Sequence, residues 1–338
     1  MRFASSISRR TFTKTALAGL AATLGMLSTA PALAASAEDF PQRPVTIVVP
    51  FPPGGATDLT ARLVGDGLSR KWGQPVVIEN RPGAGGNVGS EAVAKAAPDG
   101  YTLVLGVTGS HGINVSLYTN MRYHPLESFE PITQATLYPN AIVVNKDVPA
   151  ENLEQLVALL KTKEGQRYAY GSDGNGTASH LGMELLKNTG GFELIHIPYR
   201  GSTPMVTDLL GGQIQVGITG LPAVQSYLKD GQLKLIAVTT GERFSGAPEL
   251  PTVAEQGFPG FDAPPWSGFF APKGTPQPIV DKLSTDMREV MSDPELKQKM
   301  AAAGSEFTPN SPAEFRTFVE GEIEKWKKAV EISGASVD

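Results

Sequence analysis

The stretch from Val45 to Asp58, V-T-I-V-V-P-F-P-P-G-G-A-T-D, constrains the fold more than any other part of the chain. A run of β-branched residues is cut by Pro50, Pro52 and Pro53, passes through Gly54 and Gly55, and leads into helical apolar spacing at Leu59, Leu63, Val64 and Leu68. This is strand, stiff turn, helix. The glycines fall where the helix begins. There the first N–H groups have no intrahelical acceptor, the helix dipole is positive, and the absence of Cβ lets a ligand approach the backbone. Such a turn seats an anion such as a carboxylate. The plainer reading is a βα turn in which Asp58 steadies the first helical turn. The stretch contains no lysine or arginine, so an anion held here rests on backbone dipoles, hydroxyls and water.

The same unit returns later in the chain. Tyr168–Ser172 reads as a strand, Asp173-Gly174-Asn175-Gly176 as a glycine-rich turn, and Leu181, Leu185 and Leu186 as the buried stripe of a helix whose first turn carries Thr177, Ser179 and His180. The plainer reading is that Thr177 or Ser179 caps the helix. Between and after these units short strands and helices alternate: strands at 76–80, 101–105, 194–199, 216–220 and 233–239, a helix over 148–163, and amphipathic helices from 279 to 330. Pro248–Pro265 reads as a connector, and Trp266–Ala271 as a return to a sheet. Alternation of this kind calls for mostly parallel sheets covered by helices.

Residues 1–34 belong to a different pattern. Arg2, Arg9, Arg10 and Lys14 precede an apolar stretch from Ala16 to Leu27, and Ala32-Leu33-Ala34 supplies small residues for a signal peptidase. The apolar stretch is short for a membrane span, so a cleaved export signal is expected. Ser8-Arg9-Arg10-Thr11-Phe12-Thr13-Lys14 resembles a twin-arginine signal, with Thr13 where leucine is usual; the general secretion route stays open. The expected address is the periplasm, in solution. Removing four basic residues from 29, against 34 acidic ones, leaves 25 − 34 = −9, a charge that argues against a nucleic-acid partner.

Catalytic patterns fail in specific ways. Gly83-Ala84-Gly85 opens like a dinucleotide loop, but Val88 stands where the third glycine belongs, and no G-x-x-x-x-G-K-[ST] occurs. Tyr170 stands where a G-x-S-x-G elbow around Ser172 needs glycine. His111, His124, His180 and His196 form no H-E-x-x-H, and there is no cysteine for a thiolate site. No cofactor, no metal and no catalytic residue are expected.

Several stretches, in order along the mature chain, carry a family resemblance. Pro53-Gly54-Gly55-Ala56-Thr57-Asp58, Asn80-Arg81-Pro82-Gly83-Ala84-Gly85-Gly86, Pro98-Asp99-Gly100-Tyr101-Thr102-Leu103, Gly174-Asn175-Gly176-Thr177-Ala178-Ser179-His180, His196-Ile197-Pro198-Tyr199-Arg200-Gly201, Pro251-Thr252-Val253-Ala254-Glu255 and Ala271-Pro272-Lys273-Gly274-Thr275-Pro276 are the runs concerned. Together they resemble the solute receptors of tripartite tricarboxylate transporters, the Bug family, with Thr177 where serine is usual. The resemblance implies a two-lobed periplasmic binding protein fold (type II-like), each lobe a mostly parallel α/β sheet with flanking helices. Lobe 1 is expected over residues 41–140 and 263–338, and lobe 2 over 141–262. A small organic anion lies between the lobes, and closure presents the complex to the membrane partner.

On that basis the candidate ligand-binding residues are Gly54, Gly55, Ala56, Thr57 and Asp58, joined by Thr108 and Ser110, in lobe 1. In lobe 2 they are Gly176, Thr177, Ser179 and His180, with Thr219 beside them. Asp58 would repel a bare carboxylate, so orienting the turn or a water is its expected task. Arg200 is a candidate counter-ion, and Trp266 either shapes the ligand site or fills the core between lobes. The expected partners are a small carboxylate and membrane transporter subunits, with the receptor a monomer. Two rival readings remain open: a ligand-sensing module for a membrane kinase, and an enzyme acting on a carboxylic acid.

Overall fold

A computed structural model describes residues 39–337; the export signal expected over 1–34 lies outside them. Along the chain run β1 (Val45–Val49), α1 (Ala56–Trp72), β2 (Val76–Asn80), α2 (Asn87–Ala94), β3 (Thr102–Val107), α3 (Asn114–Leu117) and β4 (Phe129–Leu137). Next come β5 (Asn140–Asn145), α4 (Leu153–Leu160), β6 (Ala169–Ser172), α5 (Ala178–Gly190), β7 (Ile195–Pro198), α6 (Ser202–Leu210), β8 (Val216–Gly220), α7 (Gln225–Lys229) and β9 (Leu233–Val238). The last part holds β10 (Trp266–Pro272), α8 (Gln277–Met291), α9 (Pro294–Ala302), β11 (Glu306–Phe307) and α10 (Pro312–Ser333).

The strands form two sheets, ordered β11-β4-β10-β3-β1-β2 and β7-β6-β8-β5-β9. Each sheet organises one lobe. The expectation of mostly parallel sheets is corrected to mixed ones. β1 pairs in parallel with β2 and β3, and β6 with β7 and β8, as βαβ crossovers require. The antiparallel members have a common origin. β5 is the first strand after the chain leaves the first sheet, and β10 the first after it returns. Each is inserted between two strands and runs against both. β11 adds a further antiparallel pair at the edge.

Local chemistry sets the element ends. α1 stops at Gly73, in the left-handed region at φ 64°, where its N–H reaches Ser69 O. The helix expected over 148–163 is shorter, because Asn152 is extended and its side chain accepts from Gln155 N, starting α4 at Leu153. α10 begins with a capping box between Ser311 and Glu314.

The two connections between sheets lie side by side. Tyr138 N donates to Pro265 O at 3.2 Å, Thr239 N to Asn140 O at 2.9 Å, and Ala263 N to Thr239 O at 2.9 Å. α10 spans the same region. Phe315 and Val319 pack with Phe270 and Trp266, while Trp326, Ala329 and Val330 pack with Ile113, Leu117 and, from α5, Leu181. Glu322, buried on this helix, accepts from the indole N–H of both Trp266 and Trp326 at 2.7 Å and pairs with Lys325.

Candidate functional site

A cavity of about 410 Å³ lies between the two sheets and is lined from both lobes. The N-termini of α1 and α5 reach it through Ala56 and through Gly176, Thr177, Ala178 and Ser179. Thr108 and Trp266 come from the first lobe, Asp173 and Thr219 from the second, and Tyr138 and Asn140 from the crossing. Beside it, Gly55, Thr57 and Asp58 line a second hollow that shares Phe51, Ala56, Val107 and Tyr138 with the first.

In lobe 1, Asp58 is committed to the turn. Its carboxylate accepts from Gly54 N at 3.0 Å, from Arg62 Nε and Nη2 at 2.9 and 3.0 Å, and from Asn80 Nδ2 at 3.0 Å. The Arg62 guanidinium, helped by the Gly54 and Asn80 hydrogen bonds, holds the carboxyl down at about 2 despite burial. Gly54 sits at φ 92°, spends its N–H on Asp58 and lies outside the lining. The folded carboxyl is more acidic than an unfolded one. Its contribution is therefore complete above about pH 4 and vanishes as pH falls toward about 2. Replacing Asp58 with alanine is expected to lower stability by about 1–2 kcal/mol near neutrality, the exposed Arg62 partner keeping the figure modest. Urea unfolding at pH 7 and pH 2.5 checks this: the gap between the two proteins should narrow markedly at the lower pH.

Thr108 Oγ1 accepts from Trp266 N at 2.7 Å and donates to Trp266 O at 3.2 Å, joining β3 to the returning strand at the cavity floor. Ser110 lies in a π-helical turn over Gly109–Ile113, fully buried, with its Oγ against Val107 N and 2.9 Å from His111 Nδ1; it does not reach the cavity. Trp266 lines the cavity while its ring fills the core beneath α10.

In lobe 2, Thr177 is the N-cap of α5: its Oγ1 accepts from His180 N at 3.3 Å and donates to Gly174 O at 2.7 Å. Ser179 Oγ accepts from Asp173 N at 3.1 Å. His180 is buried outside the lining, its Nδ1 accepting from Gly176 N at 3.1 Å and its ring stacked on His196 at 3.9 Å. Burial first, then the Lys187 charge, holds the His180 imidazole down at about 4, so it is neutral at pH 7. Thr219 Oγ1 donates to Asp173 Oδ1 at 2.7 Å. Arg200 is exposed and is not part of the cavity wall.

Sequence reasoning did not select Asp173, Asn140 or Tyr138. Asn140 is 2% exposed, and its Nδ2 has no hydrogen-bond partner among the described residues. A donor left in this state at a cavity wall is matched by a ligand oxygen or water. Tyr138 is pushed up to about 12 by burial and then by the nearby Asp173 charge. Among the described residues two Ser–His pairs occur, Ser110–His111 and Ser172–His196, but both serine hydroxyls are buried outside the cavity. Among the described residues no helix is long and apolar enough to cross a membrane, and no cluster of histidine and carboxylate side chains suits a metal ion.

Residues 60–334 match the family described as the tripartite tricarboxylate transporter family receptor. BugT of Bordetella pertussis is 36% identical over 321 residues, spanning 94% of this chain and 98% of that protein. An R. palustris protein solved with adipate aligns at 37% identity and a TM-score of 0.76, covering 88% of this chain and 99% of that one. MatC from Rhodopseudomonas palustris with bound malate aligns at 32% identity and 0.72, covering 86% and 100%.

Proposed function

The chain belongs to the tripartite tricarboxylate transporter receptor family, and from that premise we propose that it captures a small organic carboxylate in the inter-lobe cavity and hands it to membrane transporter subunits. The observation that carries this is the donor set of the cavity. Two helix N-termini face it from opposite lobes, hydroxyls accompany them, and the Asn140 amide has no acceptor among the described residues. Among the described residues no lysine or arginine contributes to the wall. Oriented backbone N–H groups and bridging water hold a carboxylate without a fixed cation, so ligands of differing length and charge are accommodated by moving waters rather than salt bridges. The adipate and malate in related receptors are acids of this type. Ligand contact with both lobes supplies the free energy that favours closure.

In this reading the protein works in the periplasm as a monomer, after removal of residues 1–34. The ligand set comprises Ala56, Thr108, Gly176, Thr177, Ser179 and Thr219, with Gly55 and Thr57 at the adjoining hollow. Gly54, Asp58 and His180 shape the two turns around it, and Ser110 the turn after β3.

Gly55 offers a clean test. It sits at φ −86°, which any residue adopts, and a Cβ there meets nothing within 4 Å. Gly55→Leu is expected to leave the thermal midpoint of the unliganded protein unchanged and to weaken carboxylate binding by ~10-fold or more, because the side chain covers the α1 N-terminus. Calorimetric titration of the purified protein with succinate, malate, adipate, citrate and glutamate measures it. Affinity equal to wild type in Gly55→Leu, or no binding of any acid by wild type, would sink the proposal.

A further inference from the structure

Among the described residues Asp173 is the one charged side chain in the wall of the inter-lobe cavity, and no lysine, arginine or histidine lines that wall with it. It lies between the end of β6 and the N-terminus of α5. Thr219 Oγ1 donates to its Oδ1 at 2.7 Å, and its main chain is fixed from both sides, Asp173 N by Ser179 Oγ and Asp173 O by Gly201 N at 3.1 Å. The carboxylate is therefore held in place rather than swinging to solvent. A site meant for a bare dianion gains nothing from such a group. Like charges at close range in a confined, poorly solvated space repel strongly, and the penalty falls on the bound state alone.

Resting on the carboxylate-receptor reading above, we propose that Asp173 is the counter-ion for a protonated amine on the ligand, so that the solute this cavity selects carries one carboxylate and one ammonium group, an amino acid rather than a dicarboxylate. The two halves of the site then divide the work. The ligand carboxylate takes the first N–H groups of the two helices and Asn140 Nδ2, which has no acceptor among the described residues. The ammonium takes Asp173, whose Oδ1 is already oriented by Thr219. An ammonium also resolves the electrostatic cost of leaving the half-buried Asp173 without a cation. Burial pushes its carboxyl up to about 6 against the opposing hydrogen bonds from Thr219 and Ser179, and a cation at hydrogen-bond distance restores the ionised form. Of the titratable side chains around this turn, Tyr138 lies at the crossing and His180 on α5. The first keeps its proton and the second stays neutral near pH 7, so neither substitutes for the missing cation.

Calorimetric titration of the purified protein tests this with matched probes: 4-aminobutyrate, 6-aminohexanoate, alanine, aspartate and glutamate against succinate, glutarate and adipate. The wild type is expected to bind at least one amine-bearing acid ~30-fold or more tightly than the diacid of equal length. Asp173→Asn keeps an acceptor for Thr219 and removes the charge. It is expected to weaken the amine-bearing ligand by ~30-fold or more while leaving the diacids equal or tighter, which reverses the selectivity; a purely structural role would weaken both alike. Affinity of the wild type for the amine-bearing ligand is expected to fall as pH drops through about 6. The thermal midpoint of Asp173→Asn, compared with wild type, shows that the variant is folded. Tighter binding of a diacid by the wild type, or unchanged selectivity in Asp173→Asn, would overturn the assignment and leave the carboxylate reading intact. Failure of every acid, with or without an amine, would overturn both.

Discussion

Replacing Glu322 with leucine is expected to lower the unfolding free energy by about 3–5 kcal/mol, the largest stability loss among the substitutions considered for this protein. The cause is local. Glu322 is 5% exposed, and one carboxylate oxygen accepts from two indole N–H groups, Trp266 Nε1 and Trp326 Nε1, each at 2.7 Å. Both rings are fully enclosed, so neither N–H has water to turn to when the acceptor goes. A buried donor without a partner costs about 1–3 kcal/mol, and two are created at once. Lys325, which pairs with the same carboxylate, is partly exposed and can turn outward, so it adds little. Glu322→Gln keeps an oxygen but not its charge, and about half of the loss is expected. Urea unfolding with an unchanged m-value checks the figures, and a loss below about 1 kcal/mol would show that water enters and replaces the carboxylate.

The second large effect concerns Gly176. This residue, in the turn before α5, sits at φ 71°, and a Cβ built on it comes 2.3 Å from Cδ2 of Leu117, which belongs to α3 in the other lobe. The two consequences of adding a side chain separate cleanly. Left-handed backbone strain, about 1–2 kcal/mol for a β-branched residue, is present whether the lobes are together or apart and appears as lost stability. Overlap with Leu117 exists only when the lobes are together, so it appears as lost affinity. Gly176→Val is expected to weaken ligand binding by about 10- to 100-fold, the equivalent of an overpacked contact. Adding Leu117→Ala makes room and should restore most of the affinity without restoring the stability. A double-mutant cycle on both readouts measures this, and equal additive losses in affinity would refute the wedge.

The opening turn was legible because its signals are local: a β-branched run, two glycines at a helix start and an acidic residue four positions after Gly54. Each of these acts within one helical turn, and the structure adds only Arg62 and Asn80 as the partners of Asp58. Asp173 was not legible for the opposite reason. In sequence it is one more polar residue in a glycine-rich turn. What makes it part of a cavity wall is the approach of Thr219, 46 residues later on another strand, together with a facing wall that holds no cation among the described residues. Asn140 was readable as a crossing point but not as a donor, because an unmet hydrogen bond is a property of its surroundings. The mixed pairing of the sheets was hidden as well. Strand–helix alternation reports the parallel units, whereas β5 and β10 are inserted from distant parts of the chain and carry no local mark of direction. Gly83-Ala84-Gly85 fails as a dinucleotide loop, yet Gly85 reaches the cavity wall, where Asn114 Nδ2 donates to its carbonyl.

The side-by-side crossings give the molecule a single pin. Tyr138 is tied to Pro265 and Asn140 to Thr239, and the Thr108 hydroxyl clasps the main chain of Trp266 at the base. Two strands stapled in this way bend together about one axis and resist sliding past each other. Loading and unloading then run along the same coordinate in opposite directions. Whatever free energy a solute contributes by drawing the halves together is the work another body must do to prise them apart. A tightly held solute is therefore slow to leave, and any body that grips both halves has one lever on which to act.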